Sequence, residues 1–137
     1  MKIVAKSLVY DANNKILILR RSLTHPNNPH HSDLPGGEVD GNENEIEAVA
    51  REIKEEAGLD ISVSSLKLVY EKTISEEVKH VLYTTKIDDS EPLVTISWEH
   101  DAYTWKSLKD LKDDPLPQNV DIYYLTVLEY LNSTKQI

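Results

Sequence analysis

The segment LPGGEVDGNENEIEAVAREIKEEAGL, Leu34 to Leu59, constrains this chain more than any other. Asn44 has the chemistry of a helix N-cap, and Glu47 three residues later completes a capping box. Ile46, Val49, Ala50, Ile53 and Ala57 recur at helical spacing and make one apolar stripe. Gly58 stands where helices end in a left-handed residue. Such a helix must bury its stripe against something, and the rest of the chain supplies strands. KIVAKSLVY (Lys2–Tyr10) is β-rich, DANN (Asp11–Asn14) signals a turn, and KILILRR (Lys15–Arg21) reads as a returning strand. Ile61–Thr73 and Val78–Ile87 read as further strands, with Pro92–Ser97 and Ala102–Trp105 as weaker ones. Ser107–Asp114 has room for a helical turn or two, and Asn119–Ser133 reads as a C-terminal helix. Mixed strands beside two good helices predict an α/β fold, a sheet packed between helices.

The 137 residues suit one domain, 1–137, with a single core. No repeat, low-complexity tract or linker divides them. Phe is absent, so Tyr, Trp, Leu, Ile and Val must fill the interior. Cys is absent too, which excludes disulfides, thiolate metal sites and a cysteine nucleophile. Apolar runs are short, with ILIL at Ile16–Leu19 among the longest, and the N-terminus does not read as a signal peptide. A cytoplasmic protein is expected, either monomer or homodimer, without a membrane partner.

The net charge of −9 is unevenly spread. Between Glu38 and Asp60 nine acids face two bases, a local net of −7, whereas residues 1–37 carry +3. A net-acidic chain is a poor binder of nucleic-acid backbone. A local acidic cluster beside a basic segment fits a divalent cation that in turn binds phosphate.

On a wheel of about 100° per residue, Glu52, Glu55 and Glu56 fall at i, i+3 and i+4 on one face, next to the buried stripe. Ala48 lies one turn earlier on that face, and Arg51 and Lys54 fall towards the other side. Three carboxylates at this spacing repel one another unless a cation sits between them. Hard oxygen ligands would select Mg²⁺, Mn²⁺ or Ca²⁺. Spacing alone is equally consistent with a solvated acidic face, because Glu is a good helix former. Gly36-Gly37 ahead of the helix allows a close backbone approach, so that a carbonyl there could join a metal shell.

The same stretch resembles the signature of the Nudix hydrolases: Gly, five residues, Glu, seven residues, then Arg-Glu-apolar-any-Glu-Glu-any-Gly-apolar. Gly37, Glu43 and Arg51-Glu52-Ile53-Lys54-Glu55-Glu56-Ala57-Gly58-Leu59 match each of its nine defined positions over 23 residues. The preceding DLPGG is also like the family. The resemblance implies an α/β/α sandwich with a mixed sheet, and hydrolysis of a nucleoside diphosphate linked to another group. It implies Mg²⁺, with Mn²⁺ as substitute, held by Glu52, Glu55, Glu56 and the Gly37 carbonyl. Arg51 would orient Glu52, and Glu43 would serve the helix entrance or the outer shell. Metal-activated water would attack phosphorus, with a carboxylate taking its proton.

Downstream, WEHDAYTW (Trp98–Trp105) resembles the Glu-His…Tyr…Trp segment of two Nudix branches, the dATP and dihydroneopterin triphosphate pyrophosphatase and the diadenosine tetraphosphate hydrolase. That likeness makes Glu99 a candidate extra metal ligand or base; the plainer reading is a surface acid at a strand start. Many relatives carry an aromatic residue before Leu-Pro-Gly-Gly, where this chain has His30, His31, Ser32 and Asp33.

Arg20 and Arg21 are candidates for a substrate phosphate, although a solvated strand end fits them equally well; His31, with His25 and His30 in the long loop Ser22–Asp33, is a candidate for lining the substrate mouth, with solvent as the alternative. Tyr123, Tyr124 and Tyr130 are expected in the core or at an interface, and Trp98 and Trp105 in the core, with stacking on a base as the lesser alternative for the tryptophans. The expected function is Mg²⁺-dependent cleavage of a nucleoside triphosphate or dinucleoside polyphosphate. The rivals are a nucleotide-sensing module without turnover, although such modules usually lose a signature acid, and an RNA pyrophosphohydrolase, disfavoured by the small basic surface. An isopentenyl diphosphate isomerase usually needs a Cys, and there is none.

Overall fold

Asp11 makes the first turn. Its Oδ1 accepts the N–H groups of Asn13 and Lys15, both at 2.9 Å, while Asn14 takes the left-handed φ of 62° that Asn tolerates. The strands on either side of it are β1 (Lys2–Tyr10) and β2 (Ile16–Arg21). The computed structural model describes residues 1–24, 32–90, 92–113 and 122–133. Further along lie β3 (Ser32–Asp33), β4 (Gly36–Glu38), α1 (Glu45–Ala57), a 3-10 turn (Val63–Ser65), β5 (Lys67–Thr73) and β6 (Val78–Lys86). β7 (His100–Lys106), α2 (Leu108–Asp113) and α3 (Ile122–Ser133) complete the described elements.

The described strands form one sheet in the order β3-β2-β1-β6-β5, with β4 on β1 and β7 on β2. β1 and β6 run parallel from Lys2↔Val78 to Tyr10↔Lys86, and the other pairs are antiparallel, so the sheet is mixed. Alternation along the central strands sends side chains to both faces. Ala5, Val9, Leu17, Leu19, Val81 and Tyr83 meet Val49, Ile53 and Ala57 of α1. Leu8, Ile16, Ile18 and Leu82 meet Leu111 of α2 and Tyr123, Tyr124, Val127 and Leu131 of α3. Burial on both faces is why Ile16–Leu19 reads as an unbroken apolar run rather than an alternation. The result is the expected α/β/α sandwich.

The differences from the sequence reading have local causes. The strand expected over Ile61–Thr73 begins only at Lys67. Ser62 caps Ser64 N–H, and Ser65 Oγ donates to the Ser62 carbonyl, so serine bonds draw this segment into a 3-10 turn. Pro92–Ser97 is not a strand where described: Thr95 N–H donates to the Ala57 carbonyl at 2.9 Å, tying the segment to the end of α1. β4 escaped notice because Gly-Gly lacks strand propensity, yet Val4, Ala5 and Lys6 pair with Glu38, Gly37 and Gly36. At Gly36 φ is 135°, and a Cβ would lie 2.4 Å from the Ala5 carbonyl oxygen, so only glycine fits. Residues 119–121 of the expected C-terminal helix lie outside the described residues. No helix among the described residues is long and apolar enough to cross a membrane.

Candidate active site

α1 begins as its sequence requires. Asn44 Oδ1 accepts the N–H groups of Ile46 and Glu47, and Gly58 closes the helix with φ 70° and a bond to the Lys54 carbonyl. The three glutamates, however, are not equivalent. Glu55 is exposed, Glu52 is half-buried, and Glu56 is buried at 4% exposure. Glu56 Oε1 accepts the Gly36 N–H at 2.8 Å. Burial pushes the Glu56 carboxyl up to about 9, helped by Asp33 and Glu52 and opposed by the Gly36 bond and by Lys6. Burial also raises the Glu52 carboxyl; Arg51 opposes this, and the charges of Glu55 and Glu99 add to it.

Arg51 corrects the wheel. Expected on the far side of the helix, its guanidinium reaches back among the acids. Nε and Nη2 hold the two Glu43 oxygens at 2.6 and 2.9 Å, a bidentate fork. Nη1 reaches Glu55 at 2.9 Å and Glu52 at 3.2 Å. The acidic cluster is therefore partly compensated by one arginine, where the spacing suggested repulsion without side-chain relief. Glu43 is held at the helix entrance, with the Asp40 N–H on its Oε1 at 3.3 Å.

Gly37 lies against Glu52: a Cβ there would come within 3.7 Å of the Glu52 carboxyl. Glu99, half-buried, comes from the turn before β7, and its charge is felt at Glu52. Its carbonyl accepts the Ser22 N–H at 2.9 Å. Gly37 thus lies beside Glu52, Glu52 feels the charge of Glu99, and Glu56 is bonded to the neighbouring Gly36.

Among the described residues no three acidic or histidine side chains are already gathered around one metal position. The donor set nevertheless suits a hard cation. Glu56 is a buried acid next to other acids, with a backbone N–H as its hydrogen-bond partner and its proton held to about 9. A divalent ion would relieve that arrangement.

The two arginines of β2 part company. Arg20 is exposed and pairs with Asp101 at 2.7 Å. Arg21, read as a phosphate ligand, is instead buried with Nε on Asp33 at 3.1 Å. The β-bulge between them, where β2 meets β7, accompanies their divergence. His31, His25 and His30 lie outside the described residues. Trp98, expected in the core, is 67% exposed immediately before Glu99, whereas Trp105 packs against the α1-side core and Tyr123 and Tyr124 are buried. Two residues had no role in the sequence reading, Lys6 and Asp33, which form a buried ion pair at 2.5 Å. A lysine inside an otherwise apolar strand was the available signal.

Comparison with known proteins identifies the family and the fold. The family model described as NUDIX domain matches residues 2–127. An ADP-ribose pyrophosphatase of Methanocaldococcus jannaschii is 42% identical over 81 residues, 58% of this chain and 46% of that protein. An asymmetrical bis(5'-nucleosyl)-tetraphosphatase of Mus musculus is 30% identical over 86 residues, 59% of this chain and 58% of that protein. The match thus spans about half to three-fifths of the length of these curated relatives. The crystal structure of a MutT protein from Methanosarcina mazei Go1 superposes with a TM-score of 0.74 at 27% identity, covering 95% of this chain and 91% of that one.

Proposed function

This chain belongs to the Nudix family, and from that premise we propose that it hydrolyses a nucleoside triphosphate or dinucleoside polyphosphate with Mg²⁺ or Mn²⁺. The observation that supports the reading is that all three acids of the α1 signature are present, with Glu52 beside Gly37, Glu56 bonded to Gly36, and Glu99 within electrostatic reach of Glu52. Mg²⁺ held by these carboxylates and the Gly37 carbonyl would neutralise charge on the diphosphate and lower the pKa of a water molecule.

The chain's own residues do the rest. Glu52 and Glu99 are the two carboxylates assigned here to take the proton of the attacking water, and burial raises the Glu52 carboxyl above its ordinary value. Arg51 keeps Glu52 and Glu55 in register while anchored on Glu43. Glu56 gives up its proton when a cation takes its place. Arg20 and His31 are proposed to meet substrate phosphate, and the exposed face of Trp98 beside Glu99 is suited to a nucleobase. The acidic net charge disfavours an RNA substrate.

The deciding experiment is a panel of nucleoside triphosphates, dinucleoside polyphosphates, ADP-ribose and nucleotide sugars, with Mg²⁺ or Mn²⁺ and product identification. Cleavage within the polyphosphate, lost in Glu56→Gln, is expected. Tight binding of a nucleotide with no turnover of any substrate would replace hydrolysis by sensing.

A further inference from the structure

We propose that Asp33 is a positioning residue: through His100 and Arg21 it holds the Glu99 turn in place against the carboxylates of α1. This rests on the hydrolase reading above for its catalytic consequence, though not for its geometry.

Asp33, at 6% exposure, ends β3 and gathers four groups. Oδ1 accepts from Lys6 Nζ at 2.5 Å and from the Leu34 N–H at 2.9 Å. Oδ2 accepts from Arg21 Nε and from His100 Nε2, each at 3.1 Å. An aspartate with four acceptor sites used has its orientation fully determined. Burial alone would raise its carboxyl, but Lys6, His100 and Arg21 override this and hold it well below the usual carboxylate range.

The partners lie where the site is built. His100 directly follows Glu99, and its side chain is fully buried. Ser22 directly follows Arg21; its N–H holds the Glu99 carbonyl at 2.9 Å and its Oγ holds the Trp98 carbonyl at 2.9 Å. Glu99 is therefore fixed by a backbone bond at its own carbonyl and by the side chain of the next residue. In the other direction, Asp33 leads through Leu34 and Pro35 to Gly36, whose N–H holds Glu56. Lys6 closes the circle: it pairs with Gly36 across β1 and β4. One carboxylate thus joins the loop acid to the helix acid through β1, β2 and β7.

Stability alone is a weak account of such a cluster. Buried ion pairs are often replaced by apolar residues at no net loss, because desolvation offsets their attraction. A fixed geometry is what an apolar core would not supply here. A displacement of about 1 Å at a reacting group is enough to cost roughly 100-fold in rate.

The test is a double-mutant cycle on the full chain. His100→Leu removes the link to Glu99 and leaves Lys6–Asp33–Arg21 intact, so it serves if Asp33→Asn fails to fold. His100→Leu is expected to lower kcat by about 10- to 100-fold with KM changed little. His100→Gln, which keeps a donor near the Nε2 position, should recover most of that loss. In a Glu99→Gln background His100→Leu should add less than about threefold, because its effect passes through Glu99. Mn²⁺ affinity by electron paramagnetic resonance gives a reading independent of turnover. It should weaken in His100→Leu, and not further when Glu99→Gln is already present. An unchanged kcat and Mn²⁺ affinity in His100→Leu, or fully additive losses, overturns the clamp. A wild type that turns over nothing but shows the coupled Mn²⁺ effect supports the clamp and overturns only the hydrolase reading.

Discussion

Two carboxylates in this molecule are buried almost equally and behave in opposite ways. Asp33 is 6% exposed and Glu56 is 4% exposed. Asp33 is held ionised by Lys6, Arg21 and His100, while Glu56, with the Gly36 N–H as its bonded partner, keeps its proton up to about 9. Burial penalises the charge in both; the partners decide whether the penalty is met. Asp33 is complete as it stands, a junction of strands. For Glu56 the Gly36 N–H and the charge of Lys6 fall short of the burial penalty, so its charged form has room for a further positive partner, as the proposed ligand role requires.

The largest effect that would break this contrast is on turnover. Glu56→Gln keeps the shape and removes the charge, so kcat should fall about 10²- to 10⁴-fold, with Glu52→Gln at least as damaging. Near-normal turnover of Glu56→Gln at low Mg²⁺ would show that Glu56 is only another buried acid. Next comes stability. Asp33→Asn removes the carboxylate charge that Lys6 and Arg21 both pair with and should cost about 3–5 kcal/mol in urea denaturation. Glu56→Gln in the metal-free protein should be neutral or stabilising, since the native acid is already protonated near neutrality. Equal losses in the two variants would erase the distinction.

A third measurement concerns the loop acid. Glu99→Gln should lower kcat by roughly 10²-fold and raise KM less. Unchanged kcat together with unchanged Mg²⁺ affinity would remove Glu99 from the site.

The pH dependence separates the two carboxylates by sign. The folded Glu56 binds its proton up to about 9, against an ordinary value of 4.5. Between those values the native protein carries a proton that the unfolded chain releases, so metal-free stability should fall as pH rises from 5 to 9. The slope should be on the order of a kcal/mol per pH unit, and Glu56→Gln should flatten it. For Asp33 the native value is depressed, so the unfolded chain binds the extra proton and stability is lost only as pH falls below about 4. A metal-free stability that climbs from pH 5 to 9 would contradict the assignment for Glu56. The smallest expected effect is thermal. Millimolar Mg²⁺ should raise the Tm by a few degrees, about 3 °C for each kcal/mol of preferential binding to the native state, and the shift should vanish in Glu56→Gln.

What could be read directly in the sequence is local. The caps of α1 at Asn44 and Gly58, its apolar stripe, the i, i+3, i+4 glutamates and the run Ile16–Leu19 depend on neighbours within a few residues, and the helix and strand periods translate them into faces. Family membership was legible for the same reason, since its signature is a contiguous stretch. Tertiary structure decided which of these residues are equivalent. Glu55 and Glu56 are adjacent in sequence, yet one faces solvent and the other the Gly36 N–H, because β4 packs beside the helix there. Arg20 and Arg21 are likewise adjacent on β2, and Asp33 on β3 provides the buried carboxylate that Arg21 meets while Arg20 pairs with Asp101 outside. Lys6, Asp33 and His100 are separated by 27 and 67 residues, and no pattern of spacing links them. A charge's partners are set by distance in space, and over such separations the distance exists only once the sheet has formed.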